Sequence, residues 1–353
     1  MSMSGEMKKI VGMLRSSDVE LRCAAIKILG ELRPQHRELH QTLGKMLEQD
    51  NHVVRRYVVE AFSKNRDKKN IPYLIKLLEE ESDVKENTIN TLASYGPTVL
   101  EDISAYLDTP NNTLRRSLMS LVSRLKNRKA VDLLIGAIRS GQYETVKNIC
   151  SLLEESLGEY PDPIRHYLYQ QVIALLATPA FAEQETLLLT FIRLIGHIGH
   201  PEGKTLLLSY LDLAHPPAAR VNALYALLRF TYGDHESPET VDRLFALLDD
   251  GDYANIVHNV LRILDLVPVE RLFQASLVRH VENGHLGVKC FCLRKLGKTG
   301  QEPHAGVLFR HLTHPHQEVR ETAYQSLTQL PLTPGLLLQE LDTATDLPKM
   351  WTL

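Results

Sequence analysis

The sequence predicts an all-α protein: an α-α superhelix, or solenoid, of about ten helix pairs. Three observations predict it. A short phrase, an apolar residue beside a basic one and then apolar positions four and eight residues on, returns about every 30 residues. Each copy follows a second segment with the apolar spacing of a helix face. The 353 residues are 44% apolar but only 6% aromatic, with Trp351 as the single tryptophan, so the core is expected to be Leu, Ile, Val and Ala, a composition that favours helices over sheets.

The stretch SSDVELRCAAIKILGEL, residues 16–32, supplies the template: Leu21 and Arg22, then Ala25 and Leu29. Val54 and Arg55 with Val58 and Phe62 lie 33 residues on, Val84 and Lys85 with Thr88 and Leu92 a further 30, and Leu114 and Arg115 with Leu118 and Val122 another 30. Weaker copies surround Lys147 and LLLTFIRLIG, residues 187–196. The phrase sharpens again at Arg220 with Ala223 and Leu227, at Val257 with Val260 and Leu264, at Val288 and Lys289 with Cys292 and Leu296, and at Val319 and Arg320 with Ala323 and Leu327. Upstream partners include IPYLIKLLEE, VDLLIGAIRS and TVDRLFALLDD. Such a pair cannot bury its apolar stripe alone, so pairs must stack. The expected organisation is one array over residues 1–353, with repeats 1–5 in 1–155 and repeats 6–10 in 156–331. Residues 332–353 are read as a capping helix or the start of a truncated repeat.

The phrase apolar-Arg-x-x-Ala-x-x-x-Leu-Gly, as in Leu21-Arg22, Ala25 and Leu29-Gly30, resembles HEAT repeats, in the short form of bacterial HEAT-like and bilin-lyase-type proteins. The resemblance runs from about residue 6 to about residue 331, with departures where Thr88 and Leu118 replace the small residue and Val257 the arginine. It implies that Arg22, Arg55, Lys85, Arg115, Arg220, Lys289 and Arg320 form a structural ladder between neighbouring repeats, with Asp18, Asn51, Asp83, Asn111 and Asp252 as turn partners. Gly30, Gly196 and Gly297 are expected at helix ends, in the left-handed cap conformation.

The residues point away from chemistry. No phosphate-binding glycine loop, zinc-protease helix or nucleophile elbow occurs, so no catalytic residue, cofactor or metal ligand is assigned. His311, His314 and His316, like His197 and His200, are read as turn histidines. Cys290 and Cys292 are two apart, which on a helix points them to different faces, and Cys23 and Cys150 stand alone; this usage suits a reducing, cytoplasmic setting. No secretory signal or spanning segment is legible. The balance of 40 basic to 43 acidic residues exerts no global pull on phosphate, so nucleic acid is not the favoured partner.

Charge distribution says more than total charge. Residues 1–140 carry 23 Lys and Arg against 18 Asp and Glu, and the remainder 17 against 25. Basic residues gather in loops: Arg33 and Arg37, then Lys64, Arg66, Lys68 and Lys69, then Lys126, Arg128 and Lys129, a candidate basic rim. On the second helices, the columns through Lys27 and Glu31 point away from the buried stripe, and the resemblance implies that they line a concave face. In the later repeats these columns place Arg193, Tyr225, Arg229, Arg262, Arg294 and Lys298, residue types favoured at binding hot spots. The expected function is a non-catalytic scaffold or adaptor holding a macromolecule, foremost an acidic protein segment, on this face and the basic rim. The alternatives are a nucleic-acid binder, a bilin-lyase-like enzyme subunit, or a regulatory module of a larger membrane or signalling protein. Neither the partner's identity nor an oligomeric state follows from the residues.

Overall fold

The computed structural model describes residues 5–34, 36–49, 51–232, 237–249 and 254–335. Among them every regular element is helical. The chain forms two compact units, Met1–Leu194 and Ile195–Leu353.

The first unit contains α1 (Gly5–Met13), α2 (Val19–Leu32), α3 (Arg37–Gln49), α4 (His52–Lys64), α5 (Ile71–Lys76), α6 (Lys85–Ser94), α7 (Val99–Ile103), α8 (Asn112–Ser123), α9 (Arg128–Ser140), α10 (Tyr143–Ser156), α11 (Asp162–Leu176) and the short α12 (Pro179–Ala182). The helix α13 (Glu185–Ile198) spans the division between the units. The second unit continues with α14 (Pro201–Ser209), α15 (Pro217–Leu227), α16 (Pro238–Ala246), α17 (Ala254–Leu266), α18 (Gln274–Asn283), α19 (Leu286–Lys298), α20 (Ala305–Arg310) and α21 (Gln317–Leu327). The ten second helices expected from the repeated phrase are α2, α4, α6, α8, α10, α13, α15, α17, α19 and α21. The long interval at 155–185 is filled by the fifteen-residue α11 and by α12.

Local chemistry starts the second helices. Asp18 accepts from the Glu20 N–H at 2.9 Å, Asn51 from Val54 at 3.1 Å, and Asn111 from Thr113 at 2.9 Å and Leu114 at 3.1 Å, each capping amide donors that the helix leaves open. The apolar stripe then goes inside: Val54, Val58 and Phe62, and likewise Val288, Cys292 and Leu296, are buried. Thr88, in place of the small residue, is also buried and returns its hydroxyl to the Val84 carbonyl at 2.8 Å. Leu21 departs from its column. It is 39% exposed, whereas Val54 is fully covered.

Two expectations are corrected. At Arg22, Arg115, Lys289 and Arg320 the basic column, expected as a ladder between repeats, bonds the turn of its own repeat. Arg22 donates to the carbonyls of Ser16 at 2.8 Å and Ser17 at 3.2 Å, Arg115 to that of Thr109 at 2.9 Å, and Arg320 to those of His314 at 2.8 Å and Pro315 at 2.9 Å. Lys289 reaches the carbonyls of Val281 at 2.7 Å and Glu282 at 2.5 Å. These carbonyls have no helical partner, so a cation a turn into the next helix satisfies them. What does cross between repeats here is the cap itself: the Asn111 side-chain amide donates to the Glu79 carbonyl at 2.9 Å. Asp252, proposed as a turn partner, lies outside the described residues, as do residues 336–353 of the expected terminal element.

The glycines of the repeated Leu-Gly are not left-handed caps. Gly30, Gly196 and Gly297 are places of close helix approach, where an added Cβ would stand 3.0 Å from the Ala61 Cα, 2.6 Å from the Ala226 Cβ and 2.7 Å from the Ser326 Cβ. The left-handed residue comes three positions later, at Gly199 with φ 66° and Gly300 with φ 64°, and at Arg33 with φ 47° after Gly30.

Candidate functional site

Side chains four apart on a helix share one face, so the second-helix columns depend on helix phase alone. The phase holds in both units. In the first, Lys27, Glu31, Glu60, Asn90, Glu155 and Arg193 are exposed, and Lys64, Ser94, Ser120, Arg124 and Ser151 are half-buried. In the second, Tyr225, Arg229, Arg262, Leu266, Arg294, Lys298, Gln325 and Gln329 are all exposed and His197 is half-buried. None of these residues joins the core.

The two units use the face differently. In the first, acids answer the cations. Lys64 lies 2.6 Å from Glu31 and 3.2 Å from Glu60; its hydrogen bond and charge hold the Glu31 carboxyl below its usual range, and the Glu31 bond in turn raises the Lys64 ammonium. Arg124, whose place in the site no sequence motif marks, sits 2.7 Å from Glu86 and also bonds Asn90 and Ser120. Arg193 falls in this unit, its Nε 2.7 Å from Glu154. A polar cavity of about 340 Å³ runs over α6, α8 and α10, with Asn90, Ser120, Arg124, Lys126, Glu155 and Glu159 in its wall.

The basic rim is distributed over separate places. Arg33, Lys64 and Arg66 line one cleft of about 670 Å³ together with Asn65 and Asp67. Lys68 is 3.8 Å from Asp102, and Lys69 is 3.8 Å from Asp67. Lys126 pairs with Glu159, Arg128 lies over the Tyr167 ring at 5.1 Å, and Lys129 is exposed. The side chain of Arg37 lies outside the described residues.

In the second unit the cations stay open. Arg229, in the turn that follows α15, and Arg262 on α17 make no side-chain hydrogen bond or ion pair among the described residues. Arg294 on α19 donates, among the described residues, to the carbonyl of Cys290 in its own helix, at 3.3 Å. Asp265 on α17 is taken by Lys295: the ammonium, 5% exposed, lies 3.0 Å from the carboxylate. That hydrogen bond, with the charges of Lys295, Lys298 and Arg294, holds the Asp265 carboxyl below its ordinary range. Among the cations stand two large exposed apolar groups, Tyr225 at 50% and Leu266 at 49%. Tyr225 was expected in the site; Leu266 was read only as a column position, because an apolar residue among polar ones carries no signal of its own charge.

Other expected groups have structural surroundings. The His311 ring stacks on His314 with centroids 6.1 Å apart, His316 lies tilted against His314 at 5.6 Å, and the His314 carbonyl serves Arg320. Cys23, Cys150, Cys290 and Cys292 are buried thiols, and burial pushes Cys150 and Cys292 up to about 12. Among the described residues no group of three or more His, Cys, Asp or Glu could hold a metal ion, and no helix is long and apolar enough to cross a membrane.

Paired helices with this phase define a class, an all-α array of helix pairs. Residues 7–93 match the family model described as HEAT repeats. No curated protein matches the chain in sequence. Among solved structures, the chain is similar over its whole length to Kap121p bound to Pho4p, with a TM-score of 0.59 and 10% identity. It is similar, again over its whole length, to the karyopherin Kap121p bound to the extreme C-terminus of the protein phosphatase Cdc14p, with a TM-score of 0.53 and 10% identity. It spans 45% of the karyopherin chain in each case. At that identity the likeness is one of fold.

Proposed function

We propose that the protein is a non-catalytic scaffold or adaptor, and that the open second-helix face of its second unit holds an acidic protein segment. The observation that carries this reading is the pair Arg229, in the turn that ends α15, and Arg262, on the neighbouring second helix α17: both are exposed, and neither meets an acid among the described residues. Like charges repel, and here no acid among the described residues relieves that repulsion, in a half of the chain whose acidic residues outnumber its basic ones. A carboxylate-bearing ligand relieves it, and guanidinium groups grip carboxylates through two parallel bonds. Tyr225 and Leu266 add apolar area at which such a ligand gains binding energy. The fold supports the reading, since the karyopherin structures of similar fold are described as bound to protein partners. In the first unit the cleft of Arg33, Lys64 and Arg66 provides a secondary contact for the same class of ligand.

The test is binding of a fluorescent glutamate-rich peptide and of duplex DNA to the protein and to the triple variant Arg229→Glu, Arg262→Glu, Arg294→Glu. The reading expects the peptide to bind and the variant to lose it. Preference for DNA with a steep salt dependence would replace it with a nucleic-acid function.

A further inference from the structure

The chemistry of the ligand follows further from how the open cations are spaced, an argument that rests on the acidic-segment reading above. Each second helix offers two positions one turn apart. At α15 they are Tyr225 and, in the turn just past its C-terminus, Arg229, on α17 Arg262 and Leu266, and on α19 Arg294 and Lys298. Two rows result: Tyr225, Arg262 and Arg294 in one, Arg229, Leu266 and Lys298 in the other. The first row carries an aromatic side chain followed by two guanidinium groups, one per helix.

Packed helices lie about 8–10 Å apart, which sets the step along each row. A ligand crossing them must present a side chain to the same side at that interval. A β-strand returns to one side every second residue, a step of about 6.6 Å, which falls short. A polyproline II segment has three residues per turn and rises about 3.1 Å per residue, so every third side chain faces the same way after about 9.3 Å. An α-helix returns after seven residues, about 10.5 Å, but is about 10–12 Å wide, broader than a strip whose two rows stand one helical turn, about 5.4 Å, apart.

We infer that the segment lies across α15, α17 and α19 in the polyproline II conformation, with an apolar residue against Tyr225 and carboxylates at the third and sixth positions beyond it, against Arg262 and Arg294. The three-residue period of the ligand matches the one-helix-per-repeat period of the protein. Disordered acidic segments adopt this conformation readily, with the backbone left in water, so docking costs little ordering. Asp265 does not compete for the two arginines' ligand, because its carboxylate is held by Lys295.

The experiment uses three labelled peptides of equal length and charge, each with one leucine and two glutamates, in the first two among serine and proline. In the first the three residues stand three apart; in the second the glutamates are adjacent; in the third, with alanine replacing proline, the spacing is seven. The three-apart peptide is expected to bind about tenfold tighter than the others, as one well-placed charged hydrogen bond would give. Arg262→Ala with Arg294→Ala should erase that preference, and Arg271→Ala, an exposed cation on the connector before α18, should leave it intact. If all three peptides bind alike and the double variant weakens all of them, the spacing inference falls while the acidic-segment reading stands. Tightest binding by the seven-apart peptide overturns the polyproline II geometry in favour of a helical ligand. If no peptide binds, or the double variant binds each as the parent does, the acidic-segment reading falls and the spacing inference with it.

Discussion

Gly297 of α19 lies so close to Ser326 of α21 that a Cβ on the glycine would stand 2.7 Å from the serine Cβ and 2.8 Å from its Cα. The neighbour is backbone, which cannot rotate away, so a larger residue must push two second helices apart. Gly297→Val is expected to cost about 1–3 kcal/mol. Gly136→Ala, in the middle of α9 with nothing within 4 Å of the added carbon, should instead gain about 0.5–1 kcal/mol. Urea denaturation of the two variants checks the contrast, and a stable Gly297→Val protein would remove the close-approach account.

Arg33 ends α2 at φ 47° and ψ 49°, with its N–H on the Leu29 carbonyl at 3.0 Å. A side chain there costs about 1 kcal/mol that glycine avoids. Arg33→Gly is therefore expected to raise stability by about that amount, and Arg33→Val to lower it. The thermal midpoints of both variants decide the matter.

Arg320 holds the carbonyls of His314 and Pro315. Arg320→Met should cost about 1–2 kcal/mol, since the apolar chain leaves both acceptors without their cation. Arg320→Lys should recover much of the loss, because Lys289 already serves two turn carbonyls in the repeat before it. A lysine variant no better than the methionine one in urea would show that the guanidinium acts by packing rather than by closing the turn.

Asp265 and Lys295 predict a pH dependence. Because the folded protein holds the Asp265 carboxyl below its ordinary value, the unfolded chain binds the proton more readily. The stabilisation is present above the ordinary carboxylate value and is lost as pH falls through the lowered one. Asp265→Asn should be less stable than the parent at about pH 7, with the gap closing toward roughly pH 3. Urea midpoints across that range measure it; a gap that does not narrow would assign the effect to something other than the carboxylate's charge.

Much of this molecule was legible without coordinates. The positions of the ten second helices and their outward columns follow from helical periodicity, which is a local property of the chain. Tyr225, Arg229, Arg262, Arg294 and Lys298 stand on the open face because their phase was set by the buried stripe beside them. Leu266 belongs to the same face but was passed over, since exposure of an apolar residue is visible only by what fails to cover it. The glycines were misread for a related reason: Leu-Gly near a helix end looks the same whether the glycine turns the chain or admits a neighbour.

The sequence by itself determined the helix pairs, the capping turns and the side of each second helix that faces away from the core, because each depends on residues within a few positions of one another. Tertiary structure decided which charges remain open. Glu31 meets Lys64, Glu154 meets Arg193 and Glu159 meets Lys126, partners 33 to 39 residues apart, while Arg229 and Arg262 meet no acid among the described residues. The physical reason is that an ion pair between repeats is set by the stagger of one helix pair on the next, and that stagger comes from packing contacts such as Gly30 on Ala61 and Gly297 on Ser326.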